Sequence, residues 1–152
     1  MEKKSFVIDV NGRRPGNRTI KEKIVAIVTG QYGLGDTRIN RKNFPMRPMP
    51  AGPRKIVLVD YDRAISADEV LAEAERRGLE RPRHEDALFF GEQHPEEPCR
   101  APIVFLHEPW RGSVLFLGYG GGSMRNYNVN ISLSIDEGAK WGAGCRFAFV
   151  QK

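Results

Sequence analysis

The sequence predicts an α+β fold, in which a mixed or antiparallel sheet carries two helices and is preceded by an N-terminal strand–helix arm. Three observations predict it. Residues 67–77 carry both a start and a stop signal for one helix. Residues 56–59 form a continuous apolar run of strand length. From Pro102 onward the apolar period becomes that of a sheet.

The helix over 67–77 is the strongest local signal. Ser66 and Glu69 have capping-box spacing, and Ile65 and Val70 hold the staple positions around the cap. Asp68 and Glu69 suit the positive end of the helix dipole, Arg76 and Arg77 the negative end. Gly78 supplies the stop. Val70, Leu71 and Ala74 form the stripe expected to be buried. A second helix is expected over about 84–92, carrying Leu88 and Phe89 and stopping near Gly91 and Pro95.

Ile56-Val57-Leu58-Val59 reads as a strand covered on both faces. Residues 103–106, 114–117, 129–135 and 145–150 also read as strands. The third of these alternates Val129, Ile131, Leu133 and Ile135 with Asn130, Ser132 and Ser134, so one face is core and the other wet. The apolar strand at 56–59 is expected to pair with the one at 145–150.

Residues 6–10 read as a strand, broken by Asn11-Gly12. Thr19 to Glu22 has capping-box spacing, and Ile20, Ile24, Ile27 and Val28 follow a helical period over 20–29. The β-branched run Ile24 to Val28 also suits a buried strand. Residues 31–55 hold Pro45, Pro48, Pro50 and Pro53 with Gly and Arg, which is linker or clamp chemistry. The expected division is therefore a basic arm and linker over 1–55 and an α+β domain over 56–152.

Charge follows the same division. Residues 1–55 hold 13 Lys/Arg against 4 Asp/Glu, net +9, and residues 56–100 hold 6 against 12, net −6. The basic set is Arg38, Arg41, Lys42, Arg47, Arg54 and Lys55. Such a block either binds nucleic acid or an acidic partner, or lies against the chain's own acidic middle. The arm has few aromatics for base stacking, which weakens the nucleic-acid reading.

Composition excludes several classes. A hydrophobic fraction of 40% and a mean hydropathy of −0.46 fit an ordinary soluble protein. No run reaches the roughly 18 apolar residues of a membrane span, and no signal peptide is evident, so a cytoplasmic location is expected. Cys99 and Cys145 form no CxxC pair; they pair with each other if the fold brings them together, and otherwise read as reduced thiols with Cys145 in the core. His84, His94 and His107 have no metal-ligand spacing, so neither metal nor cofactor is expected.

No catalytic motif stands out. Glu85, Asp86, Glu92, Glu96 and Glu97 read as a solvated acidic face. His94 and His107 with Cys99 would need a spatial contact that spacing does not supply. Gly118 to Ser123 lacks the following helix and Lys of a phosphate loop, and reads as a strand connection. The remaining constellation is Trp110, Arg111, Tyr119, Arg125, Asn126, Tyr127, Asn128 and Asn130, with Trp141 nearby. Aromatic, Arg and Asn side chains suit an adaptable binding surface. The plainer reading makes Trp110 and Trp141 core plugs and the rest ordinary loop.

Two resemblances follow from these segments. The order Gly30-Gln31-Tyr32, Asn43-Phe44-Pro45, Asp68 to Glu73, Arg77-Gly78-Leu79, Gly91 to Pro95, Pro102-Ile103-Val104, and Trp141 ahead of Cys145-Arg146-Phe147 resembles an uncharacterised family of small bacterial proteins. It departs where Arg83 replaces a Thr opening the second helix, and it implies no activity. The second half is similar to a C-type-lectin-like fold, in which a strand, two helices and several strands end in a strand paired with the first. The calcium motif is missing, since Trp110 follows Glu108-Pro109 and Gly142 follows Trp141. The functional expectation is a non-enzymatic binding module that presents its 108–130 region to a protein or small ligand. The alternative is a nucleic-acid-associated protein that uses the basic arm.

Overall fold

The computed structural model describes residues 3–10, 43–45, 47–49, 52–94, 96–98, 100–119, 129–135 and 140–152. The helix or buried strand expected over 20–29 lies outside them, as do Arg38, Arg41 and Lys42.

Strands β1 (Lys3–Asp9), β2 (Pro53–Asp60), β9 (Arg146–Gln151), β5 (Ile103–Val104), β6 (Ser113–Tyr119) and β7 (Val129–Ile135) lie side by side in that order. Among the described strands only the β9–β5 pair is parallel; β1–β2, β2–β9, β5–β6 and β6–β7 are antiparallel. β4 (Leu79–Glu80) joins the same sheet by pairing with the far end of β9. A separate ribbon joins β3 (Ile65–Ser66) to β8 (Lys140–Trp141). The two described helices are α1 (Ala67–Arg76) and α2 (His84–Gln93). The class is mixed α+β.

The expected pairing of the 56–59 run with the C-terminal strand is present, with Ile56 opposite Val150 and Val59 opposite Phe147. These two strands are apolar at successive positions because each side of the sheet is covered. Ile56, Leu58, Ala148 and Val150 pack with α2, whereas Val57, Val59, Phe147 and Phe149 pack with α1. Alternate side chains of a strand point to opposite faces, so one helix lies on each face. The boundary expected at 55–56 falls inside β2, and Pro53, Arg54 and Lys55 are strand rather than linker. β1 is the outermost described strand at this end of the sheet, with Phe6 opposite Ile56.

The local signals at α1 act as their chemistry requires. The Ser66 hydroxyl accepts from the Glu69 amide at 3.3 Å. Ile65 and Val70 are both buried in the α1-side core. Gly78 takes a φ of +69° just past the helix, a conformation that needs no Cβ accommodation only in glycine. Val70 and Ala74 are buried, while Leu71 is half-buried at the margin. α2 matches the helix expected over about 84–92, ending one residue later at Gln93 with Gly91 buried inside it. The Gln93 side chain accepts from the Asp9 amide at 2.8 Å and donates to the Asp9 carbonyl at 2.9 Å. One amide side chain thus covers the outer edge of β1 as a neighbouring strand would.

Candidate functional site

The acidic residues that open α2 are not a solvated face. Glu85 and Asp86 are 0% exposed, and Glu97 is 5% exposed. Each is held by an arginine. Arg54 grips Asp86 through both oxygens, Nε at 2.8 Å and Nη2 at 2.9 Å, and Asp86 also accepts from the Arg83 amide at 2.8 Å. Arg47 grips Glu85 in the same two-pronged way, with Nε at 2.9 Å and Nη2 at 2.8 Å. Arg146 donates to Glu97 Oε2 at 2.8 Å and to the Ala101 carbonyl at 2.9 Å, which ties Glu97 and Ala101 to the start of β9. The reason is geometric. The first turn of α2 faces β2 and the 43–49 segment, so its carboxylates go inside and take guanidinium partners with them. Burial pushes the Glu85 carboxyl up, but hydrogen bonds led by those from Arg47 outweigh it and hold the group below the usual carboxylate range.

For Arg47 and Arg54 the alternative in which the basic block lies against the chain's own acidic middle is the one the structure shows. Both are committed to the chain's own helix rather than offered to an external phosphate. Lys55 remains exposed.

A cleft of about 590 Å³ opens beside this ion-paired turn. It is lined by Arg47, Glu80, Arg81, Arg83, His84 and Glu108 among others. Two of the three histidines meet here, with His84 and His107 ring centroids 6.0 Å apart. Both rings are engaged. His84 Nε2–H donates to the Pro45 carbonyl at 2.7 Å, and its Nδ1 lies 3.4 Å from an Arg47 donor. His107 Nδ1–H donates to the Glu108 carbonyl at 2.7 Å, while its Nε2 accepts from the Leu115 amide at 2.9 Å. For His107, whose Nε2 accepts from a backbone amide while Nδ1 donates, that pattern requires the neutral imidazole. Burial, the main cause in each case, lowers the His84 pKa and lowers that of His107 to about 4.

His107 has a structural task. β5 is short because the chain leaves the ladder after Phe105, whose amide still reaches the Leu115 carbonyl at 3.0 Å. The His107 amide then turns back to the Phe105 carbonyl at 2.7 Å. The His107 ring takes the Leu115 donor that the departing strand leaves behind. Arg81 fixes the same turn, donating to the Leu106 carbonyl at 2.6 Å and the His107 carbonyl at 3.0 Å.

Trp110 and Arg111 follow soon after Glu108 of the cleft wall, and Trp110 reaches Phe44, which also meets His84 and His107. Trp110 and Ser113 exchange both backbone hydrogen bonds, at 2.8 and 2.9 Å. Arg111 has φ +49° and Gly112 φ +76°, so the connection is a two-residue hairpin turn of type I′. The Arg111 guanidinium lies over the Trp110 ring, 5.1 Å from its centroid. Trp110 is half-buried and tilts against Phe44 at 5.5 Å; Trp141 is half-buried against Phe147 at 6.2 Å. Neither indole is a fully buried plug.

The rest of the expected surface lies elsewhere. β6 begins at the hairpin and ends at Tyr119, and Asn130 pairs opposite Gly118. Six residue-to-residue steps of strand carry the chain from Ser113 to Tyr119, about 20 Å at roughly 3.3 Å each. Trp110 and Arg111 therefore occupy one end of the β6–β7 hairpin, and Tyr119 and Asn130 the other. Arg125, Asn126, Tyr127 and Asn128 lie outside the described residues. His94 is apart from both ends, with Nε2 on the Val7 carbonyl at 2.8 Å.

Sequence reasoning passed over Phe44, Arg81, His84 and the buried role of Glu85 and Asp86. Phe44 gave one weak signal, an aromatic inside a proline-rich stretch. The carboxylates gave none, because a Glu-Asp pair at a helix start equally suits solvent.

Comparison with family models, with curated proteins and with solved structures finds no match. Among the described residues, no helix is long and apolar enough to cross a membrane. The fold and site thus define a mixed α+β protein with an ion-paired cleft at the start of its second helix.

Proposed function

We propose that this chain is a non-enzymatic binding module for a protein partner, recognised at the end of the molecule formed by the 110–113 hairpin and the adjoining cleft. The observation that carries this reading is the Arg111–Trp110 stack on a tight turn from which Arg111 stands exposed. An aromatic with an arginine over its face offers apolar area, charge and planar hydrogen-bond donors in one preformed unit. The cleft chemistry favours recognition over turnover. Its histidines hold backbone groups, and Arg47 and Arg81 hold the chain's own carboxylates and carbonyls, while Arg83 projects from the rim with its guanidinium exposed.

The C-type-lectin-like reading of residues 56–152 belongs here as well. Closure of β2 against the final strand, with both helices between them in sequence, supports it. The nucleic-acid reading is weakened by the commitment of Arg47 and Arg54 to α2.

Affinity capture from native lysate, with wild type beside W110A/R111A and R83A, tests the proposal. A protein retained by wild type and lost from both variants, with circular dichroism unchanged, is the expected result. Retention that survives nuclease treatment excludes a nucleic-acid bridge. Equal capture by all three proteins ends the hairpin-and-cleft reading, and loss only after removal of nucleic acid transfers it to the basic arm.

A further inference from the structure

Residues 43–49 have the composition of a ligand. Pro45 and Pro48 stand three apart, with Phe44 and Arg47 between and beside them and Met49 following. The described residues 43–45 and 47–49 form neither helix nor strand. Proline removes backbone donors and favours extended conformers, so such a stretch gains little from pairing with a sheet. It is held instead by side-chain anchors in a pocket made by residues far along the chain.

Phe44 is the first anchor and is 2% exposed. Its ring meets His84 edge-on at 5.5 Å, His107 at 6.1 Å and Trp110 at 5.5 Å. The Pro45 carbonyl accepts from His84. Arg47 is the second anchor. It makes the two-pronged contact to the fully buried Glu85, and its own backbone amide adds a third bond to Glu85 Oε2 at 3.1 Å. Met49 packs against the α2-side core. Aromatic rings lining a groove, with an acidic group that receives one arginine, are the means by which proline-rich segments are recognised between molecules. Here the two halves lie in one chain, 38 residues apart at the Arg47–Glu85 contact.

We infer that the pocket of His84, Glu85, His107 and Trp110 is a recognition site for proline-rich segments carrying Phe-x-x-Arg, occupied in cis by residues 43–45 and 47–49. A partner segment of the same chemistry competes for it. A tethered occupant acts at an effective concentration on the order of millimolar, so a free segment displaces it only with help. The Arg111–Trp110 stack beside the pocket supplies further contact area for a partner. This deepens the binding reading above and rests on it for its biological sense, while the pocket's affinity is measurable alone.

The experiment uses the full chain with Phe44→Ala and Arg47→Ala, which removes both cis anchors. The probe is a fluorescently labelled synthetic peptide of residues 43–49 with blocked ends. Anisotropy titration is expected to show binding to the double variant at least tenfold tighter than to wild type. Peptides carrying Phe44→Ala or Arg47→Ala should lose tenfold or more, as should the wild-type peptide against the double variant with Glu85→Gln added. If the double variant does not fold, Arg47→Ala alone is used, since that side chain is 53% exposed. A folded variant that binds no peptide at millimolar concentration, or that binds all peptides equally, overturns the inference. Loss of the fold in both variants also ends it, because the segment is then a structural part and not an exchangeable ligand. Failure here with Trp110- and Arg111-dependent capture intact leaves the binding module standing; the converse removes the module and keeps the pocket.

Discussion

Arg54 and Asp86 form a two-pronged ion pair with the carboxylate fully buried and the guanidinium side chain 20% exposed. The pair ties the start of α2 to the first residues of β2. Removing one partner leaves a charge without compensation in a site closed to water. Arg54→Ala is expected to cost about 3–5 kcal/mol in urea unfolding. Replacing both residues by apolar ones of similar size should recover part of this, and a double change as harmful as the sum of the singles would refute the pairing.

The histidine at 107 sets a pH dependence. Its folded pKa of about 4 lies below the ordinary value of 6.5, so the fold prefers the neutral ring. The contribution is complete above about pH 6.5 and falls as pH drops from there toward 4, where the folded form also takes the proton. Over that window the loss is on the order of 3 kcal/mol. Below about pH 5 carboxylates titrate as well, so the range from 6.5 to 5 isolates the histidines. Stability curves there should be flatter for His107→Gln, whose amide can both donate to Glu108 and accept from Leu115. His84, lowered in the same direction, keeps a residual slope.

Leucines on the two helices should respond differently to the same truncation. Leu88 on α2 is 2% exposed, whereas Leu71 on α1 is half-buried. Leu88→Ala is expected to cost about 2–5 kcal/mol, and Leu71→Ala about 1–2 kcal/mol. Equal losses by chemical denaturation would mean that the margin of the α1 core is drawn wrongly.

Gln93 covers the β1 edge through both backbone groups of Asp9. Gln93→Glu removes the donor and leaves a carboxylate oxygen facing the Asp9 carbonyl. We expect a loss of about 1–3 kcal/mol and faster amide exchange at Asp9. Unchanged exchange at that amide would show that the side chain does not protect the edge.

The turn at 111–112 requires positive φ at both positions. Gly112→Ala should therefore cost about 1–2 kcal/mol, while Arg111→Gly leaves stability within about 0.5 kcal/mol. Thermal unfolding of the two variants separates the backbone requirement from the recognition role of Arg111.

The sequence by itself determined what depends on near neighbours. The Ser66 cap, the Ile65–Val70 staple and the Gly78 stop define α1 because each interaction spans only a few residues. The run 56–59 announced a strand covered on both faces and the run 145–150 an apolar strand, and two such strands have few places to pair except with each other. Tertiary structure alone decided the rest. Glu85 and Asp86 look like any acidic helix start until Arg47 and Arg54 approach from more than thirty residues away. His107 looked like a spare base until the early end of β5 left the Leu115 amide needing an acceptor. Trp110 and Tyr119 looked like one surface because they are close in sequence, but a strand between them sets them about 20 Å apart. Charge, aromaticity and proline content are properties of residues. Which carboxylate goes inside, and which segment fills which pocket, depends on the distances that only the packed sheet imposes.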